Sequence, residues 1–135
     1  MNLSKKDLEL MEIATQVVKD NIDLYNNRYD LTVGCAVRAK SGKIYKGINL
    51  KSSHSVCAEQ VAIGQAFACG ERELETIVSM KIEDNGEPRV VSPCGLCRYI
   101  FDKFGLKFKV IVMDEETRET TKVTVKKLLP FPYIR

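Results

Sequence analysis

The 135-residue chain contains no tryptophan, one histidine and four prolines. It holds no apolar run approaching the ~18 residues that a bilayer-crossing helix needs, so no membrane partner is expected. Its opening stretch, MNLSKKDLELMEIA, lacks the apolar centre and small-residue cleavage site of a secretory leader, so a cytoplasmic protein is expected. Cysteines number five, an odd count that argues against a disulfide framework. In a reducing compartment their readings are metal binding, catalysis or plain burial. There is little excess charge: Lys and Arg total 21 against 18 Asp and Glu, a net +3. The basic residues are scattered rather than gathered into a stripe, so they read as ordinary solvated surface and no nucleic-acid partner is expected. Internal repeats, low-complexity tracts and linkers are also missing, and 135 residues suit one domain, 1–135.

Helices and strands alternate along the chain. Residues 4–26 read as a helix opened by Ser4 and Asp7 in a capping-box pattern, with Leu10, Ile13, Ala14 and Val17 on one apolar stripe. Two β-rich runs near 32–39 and 43–48 flank Ser41-Gly42, a hairpin turn. A polar loop, 49–55, leads into VCAEQVAIGQAFAC, a buried helix stopped by Gly70. TIVSMKI reads as a strand and EDNGEPR as a loop. In SPCGLCRYIFDKFG, Ser92 fits the N-cap and Pro93 the first helical position, with Gly105 as the stop. KFKVIVM and TTKVTV follow as strands around the turn DEETRE, and KKLLP reads as a closing helical turn. The order implies an α/β fold with helices on a mixed sheet of about five strands.

Cys94 and Cys97 lie three apart at a helix start, so both thiols can reach one point. Helix N-termini favour negative charge and hence thiolates. A lone C-x-x-C leaves a redox dithiol and half a zinc site both open. Cys57 also opens a predicted helix, after a polar loop. Two such helix starts on one sheet edge can converge, giving three thiolates around a zinc with the fourth position open, as a catalytic zinc requires. The blander reading is three separately buried cysteines. Glu59 is a candidate proton carrier, yet residues two apart on an ideal helix point in nearly opposite directions, so spacing alone does not bring it to Cys57.

Cys57-Ala58-Glu59, followed downstream by Ser92-Pro93-Cys94-Gly95-Leu96-Cys97, resembles the zinc-dependent cytidine deaminase family in its small three-cysteine form. TVGCAVRAKSGKIYKGIN is similar to that family's first hairpin and TVKKLLP to its C-terminal segment, so the likeness spans most of residues 31–133. The resemblance implies a single-domain, three-layer α/β fold with helices on both faces of the sheet. It implies Zn2+ held by Cys57, Cys94 and Cys97, and Glu59 as the proton shuttle. Asn49 and Ala58 would contact substrate, and Tyr133 would close over it. Gln60 and Arg98 would stand behind the sulfurs, offsetting the negative charge of three thiolates. The implied reaction is hydrolytic deamination of a free nucleoside by a homotetramer. Three features are similar to the branch acting on cytosine-nucleoside antibiotics: a short loop between Asn49 and Cys57, no arginine after Cys-Ala-Glu, and Tyr133 three places past Pro130. Two further differences concern substrate: Lys51 stands where ordinary cytidine deaminases carry a ribose-gripping glutamate, and Arg135 where the family carries a tryptophan.

Competing readings are a same-fold deaminase acting on a base within nucleic acid, a redox C-x-x-C protein, and a structural-zinc protein. The last needs a fourth ligand, for which His54 is the only histidine. Cys35 and Cys69 fit no ligand position and read as small buried hydrophobes.

Overall fold

A computed structural model describes residues 2–21 and 31–133. Ser4 and Asp7 do form the expected box. The Ser4 N–H donates to the Asp7 carboxylate at 2.8 Å and the Asp7 N–H to Ser4 Oγ at 3.2 Å, opening α1 (Lys5–Asn21). The remainder of the helix expected to residue 26 lies outside the described residues. Asp7 also pairs with Lys122 at 2.8 Å, pinning the helix start to the last, edge strand of the sheet.

β1 (Val33–Ala39) and β2 (Ile44–Ile48) form the hairpin, with Gly42 at positive φ in its turn. α2 (Ala58–Ala68) follows and stops before Gly70, whose φ is +89°. β3 (Leu74–Ile82) runs antiparallel to β1 and parallel to β5 (Lys109–Met113), which in turn pairs antiparallel with β6 (Thr120–Thr124). The main order is β2-β1-β3-β5-β6. A sixth strand, β4 (Pro88–Val90), begins within the stretch read as a loop and pairs with the end of β3. It is three residues long, and Asp84-Asn85-Gly86 supplies its tight turn, closed by the Gly86 N–H on the Glu83 carbonyl at 2.9 Å, with Gly86 at positive φ. α3 (Gly95–Lys103) precedes β5, and α4 (Val125–Leu128) is the expected closing turn.

Strand alternation divides the core in two. Cys35, Val37, Ile77 and Val110 face α2 and α3, where Phe101 meets Phe108 edge-on at 4.9 Å. Ala36, Val78, Met80 and Ile111 face Leu10 and Ala14 of α1. Helices therefore cover both faces of a mixed sheet. Two glycines set how closely they do so. A Cβ at Gly34 would run into the Ala14 carbonyl of α1, and one at Gly47 into the Ala58 carbonyl of α2. The second contact seats the first turn of α2, and with it the Cys-Ala-Glu motif, directly on β2. Among the described residues, no helix is long and apolar enough to cross a membrane.

Candidate metal centre and adjoining cleft

Cys57 is not inside a helix. Its backbone is extended (φ −72°, ψ 152°) and it occupies the N-cap of α2, with Glu59 in the first helical turn. The ideal-helix objection to pairing these two residues therefore does not apply, because one of them lies before the helix begins. Gln60 holds the cap: its Oε1 accepts the Cys57 N–H at 3.0 Å. Its side chain thus acts on the backbone of the motif.

α3 starts in the same manner, which corrects the expected cap. Cys94, with φ −71° and ψ 171°, is the N-cap and Gly95 the first helical residue. Ser92 is diverted to the sheet. Its Oγ donates to the Met113 carbonyl and accepts the Met113 N–H, each at 3.2 Å, which holds the chain extended through Pro93. Arg98 reaches back from α3, its Nε donating to the Pro93 carbonyl at 2.8 Å and Nη1 to the Leu128 carbonyl at 3.3 Å. It braces the segment just before Cys94 and ties it to the end of α4.

These two helix starts bring Cys57, Cys94 and Cys97 together. Their sulfurs all lie within 4.8 Å of one another, and Cys57 Sγ is 3.7 Å from Cys94 Sγ. Thiolates in a tetrahedral zinc site, with Zn–S bonds of ~2.3 Å, sit about 3.8 Å apart. The donor set is soft and the spacing fits, so these residues suit Zn2+. They are the only such group of three among the described residues. His54 is not a member. It sits exposed in a turn closed by Ser52 and Ser55, with its N–H held by Ser52 Oγ at 3.1 Å.

The thiols differ in environment. Burial pushes Cys94 up, but the N–H groups of Cys97 and Leu96 and the neighbouring thiols outweigh it, so its pKa is lowered. Burial raises Cys57. Burial and the nearby Glu59 charge raise buried Cys97 strongly. Glu59 is 6% exposed, and burial raises its pKa against the opposing pull of its own N–H and the Ser79 hydroxyl.

Beside the sulfurs opens a cleft of about 320 Å³. Cys57, Ala58, Glu59 and Cys94 form one wall, Asn49, Lys51 and Thr32 another. The bridge between Leu50 and Val56 pinches the polar loop, which is what sets Asn49 and Cys57 on neighbouring walls. Asn49 Oδ1 accepts the N–H groups of Thr32 (2.9 Å) and Val33 (3.0 Å). Tyr133 is not brought to the cleft. It is 77% exposed and absent from the cleft lining. Cys35 is fully buried as expected, but Cys69 is exposed, because it caps the end of α2 where the helix leaves the core. Sequence reasoning missed Ser92 and Val91 as cleft residues. The serine of S-P-C was visible, but its use as a helix cap looked the more ordinary role.

The model of the cytidine and deoxycytidylate deaminase zinc-binding region matches residues 4–113. Blasticidin-S deaminase of Bacillus cereus is 34% identical over 141 aligned positions, covering 99% of this chain and 96% of that protein. A cytidine deaminase of Sporosarcina psychrophila is 34% identical, covering 73% of this chain and 71% of that protein. In fold, the chain is similar to the crystal structure of cytidine deaminase from Burkholderia pseudomallei, with a TM-score of 0.73 at 23% identity, covering 97% of this chain and 100% of that one. With its paired cysteine-bearing helix starts on a mixed sheet, the chain belongs to the family defined by the cytidine and deoxycytidylate deaminase zinc-binding region.

Proposed function

We infer that the protein is a zinc-dependent hydrolase that deaminates the cytosine ring of a free nucleoside or nucleoside analogue, of the cytidine, deoxycytidine or blasticidin S type. One observation carries this reading: two of the three convergent thiols, Cys57 and Cys94, share the wall of a cleft of about 320 Å³ with the buried carboxylate of Glu59. That volume suits a small molecule. A base within a duplex would have to be extruded into it.

Cys57, Cys94 and Cys97 ligate the metal. When bound, zinc lowers the pKa of a water toward neutrality, making a nucleophile available. Hydrolysis forms a C–O bond at the ring carbon, breaks the exocyclic C–N bond and releases ammonia. One water proton must reach the ring nitrogen and another the departing amine. Glu59 carries them: it borders the cleft, its desolvated carboxyl accepts a proton readily, and it lies outside the thiol set. Asn49 and Ala58 line the path of the substrate, and Arg98 and Gln60 hold the two backbone segments that present the sulfurs.

The near full-length similarity to a protein named blasticidin-S deaminase supports an analogue as substrate, as does Lys51 on the cleft wall. We also propose a homotetramer, in which Leu96, Tyr99, Phe104, Phe131 and Tyr133, exposed in the single chain, are covered. The test is ammonia release by the zinc-loaded protein from cytidine, deoxycytidine, blasticidin S and a cytosine-containing oligonucleotide. Turnover of at least one free nucleoside is expected. Turnover of the oligonucleotide alone, or stoichiometric zinc with no turnover, would overturn the reading.

A further inference from the structure

Glu59 has two sides. One borders the cleft, and the other borders a small internal void between α2, β3 and α3 that has no room for a water molecule. Of the residues lining that void, only Glu59 and Ser79 carry polar side chains; Ile77, Val91, Pro93 and Phe101 are among the rest. Ser79 stands at the centre of β3, directly across the ladder from Cys35, and is 3% exposed. Its backbone carbonyl is occupied by the Val91 N–H at 2.9 Å, but its hydroxyl has no hydrogen-bond partner in its present rotamer.

A buried hydroxyl is costly to leave unpaired, and water cannot reach this one. Two acceptors neighbour it: the Cys35 sulfur, which accepts weakly, and the Glu59 carboxylate. A charge-assisted bond to the carboxylate is the stronger, and a serine hydroxyl turns about one bond to make it. We propose that Ser79 is a positioning residue: its hydroxyl donates to the inward oxygen of Glu59 and so aims the other oxygen into the cleft. Cys35, fully buried beneath both, serves as the back of this cluster.

The proposal rests on Glu59 acting as the proton carrier, and its test separates the two claims. Ser79→Ala, Ser79→Thr and Glu59→Gln are compared on a nucleoside turned over by the unsubstituted protein, with zinc per chain measured for each. Ser79→Ala is expected to keep its zinc and KM and to lose about tenfold in kcat, the size of a lost hydrogen bond to a charged group. Ser79→Thr keeps the hydroxyl and restores most of that loss in the fraction that folds, its added methyl pressing on a void too small even for water. A core defect would instead affect both variants and would lower zinc content. Ser79→Cys, of similar size and a weaker donor, falls between them and guards against poor folding of the threonine variant. Wild-type kcat in Ser79→Ala, with Glu59→Gln inactive, overturns the role of Ser79 alone. An active Glu59→Gln removes the proton carrier and Ser79's role with it.

Discussion

Gly47→Ala perturbs the site from behind. Gly47 lies on β2 under the first turn of α2, and a Cβ there would stand 2.6 Å from the Ala62 nitrogen and closer still to the Ala58 carbonyl oxygen. Carbon does not approach backbone atoms within 3.0 Å, so α2 must retreat by about 0.4 Å at Ala62 and by more at Ala58. Both obstacles are backbone, so no rotamer change relieves them. Overpacking of this kind costs ~1–3 kcal/mol. The turn that moves carries Ala58 and Glu59 and adjoins Cys57. Since a misplacement of ~1 Å costs on the order of 100-fold in rate, a shift near half that should cost roughly tenfold. Denaturant titrations and ammonia release would read the two effects. Gly64→Ala is the control in the same helix: nothing lies within 4 Å of its added carbon, so it should stabilise by ~0.5–1 kcal/mol. Wild-type stability and rate in Gly47→Ala would refute the close seating of α2 on β2.

Metal retention separates the candidate ligands. Cys57→Ser should lose stoichiometric zinc by atomic absorption, while His54→Ala, altering an exposed loop residue, should keep it. Arg98→Ala frees the Pro93 carbonyl and the end of α4, and should weaken zinc affinity about tenfold in competition with a chelator. Asp7→Asn tests the opposite face of the sheet. Burial works against the Asp7 carboxylate, but Lys122 and Ser4 outweigh it and lower its pKa. A depressed carboxylate contributes stability above its unfolded pKa of ~3.9 and loses it as pH falls through the folded value. The variant should therefore be less stable than the parent by ~2 kcal/mol at pH 7, with the gap closing below about pH 4. An equal gap in urea titrations at pH 7 and pH 3 would contradict the ion pair.

Much of this was legible where a signal is local. Ser4 with Asp7, Ser41-Gly42 and the glycine after α2 each encode their structure within four residues, and each formed as read. The thiol cluster was legible because Cys-Ala-Glu and Ser-Pro-Cys-Gly-Leu-Cys together resemble a known family, where spacing alone left a redox dithiol and separate burial open. What failed to read depends on distant partners. Ser92 looks like a cap until Met113, 21 residues away, claims its hydroxyl. β4 exists only because β3 offers it an edge, and its three residues show no period. Ser79 is an unremarkable polar residue in TIVSMKI. Its place opposite Cys35 and behind Glu59 follows from strand register and helix packing, which no spacing records. Tyr133 was expected over the site through resemblance alone, and the single chain leaves it in solvent.

Glu59→Gln removes the proton acceptor while keeping size and burial, so it isolates the chemistry from the metal site. Zinc per chain and ammonia release, measured on the same preparation with the best nucleoside substrate, test the account directly. One zinc per chain, with kcat lowered at least 100-fold, is the expected result. Zinc retained with near wild-type turnover would contradict the assignment of Glu59 as the group that moves the protons.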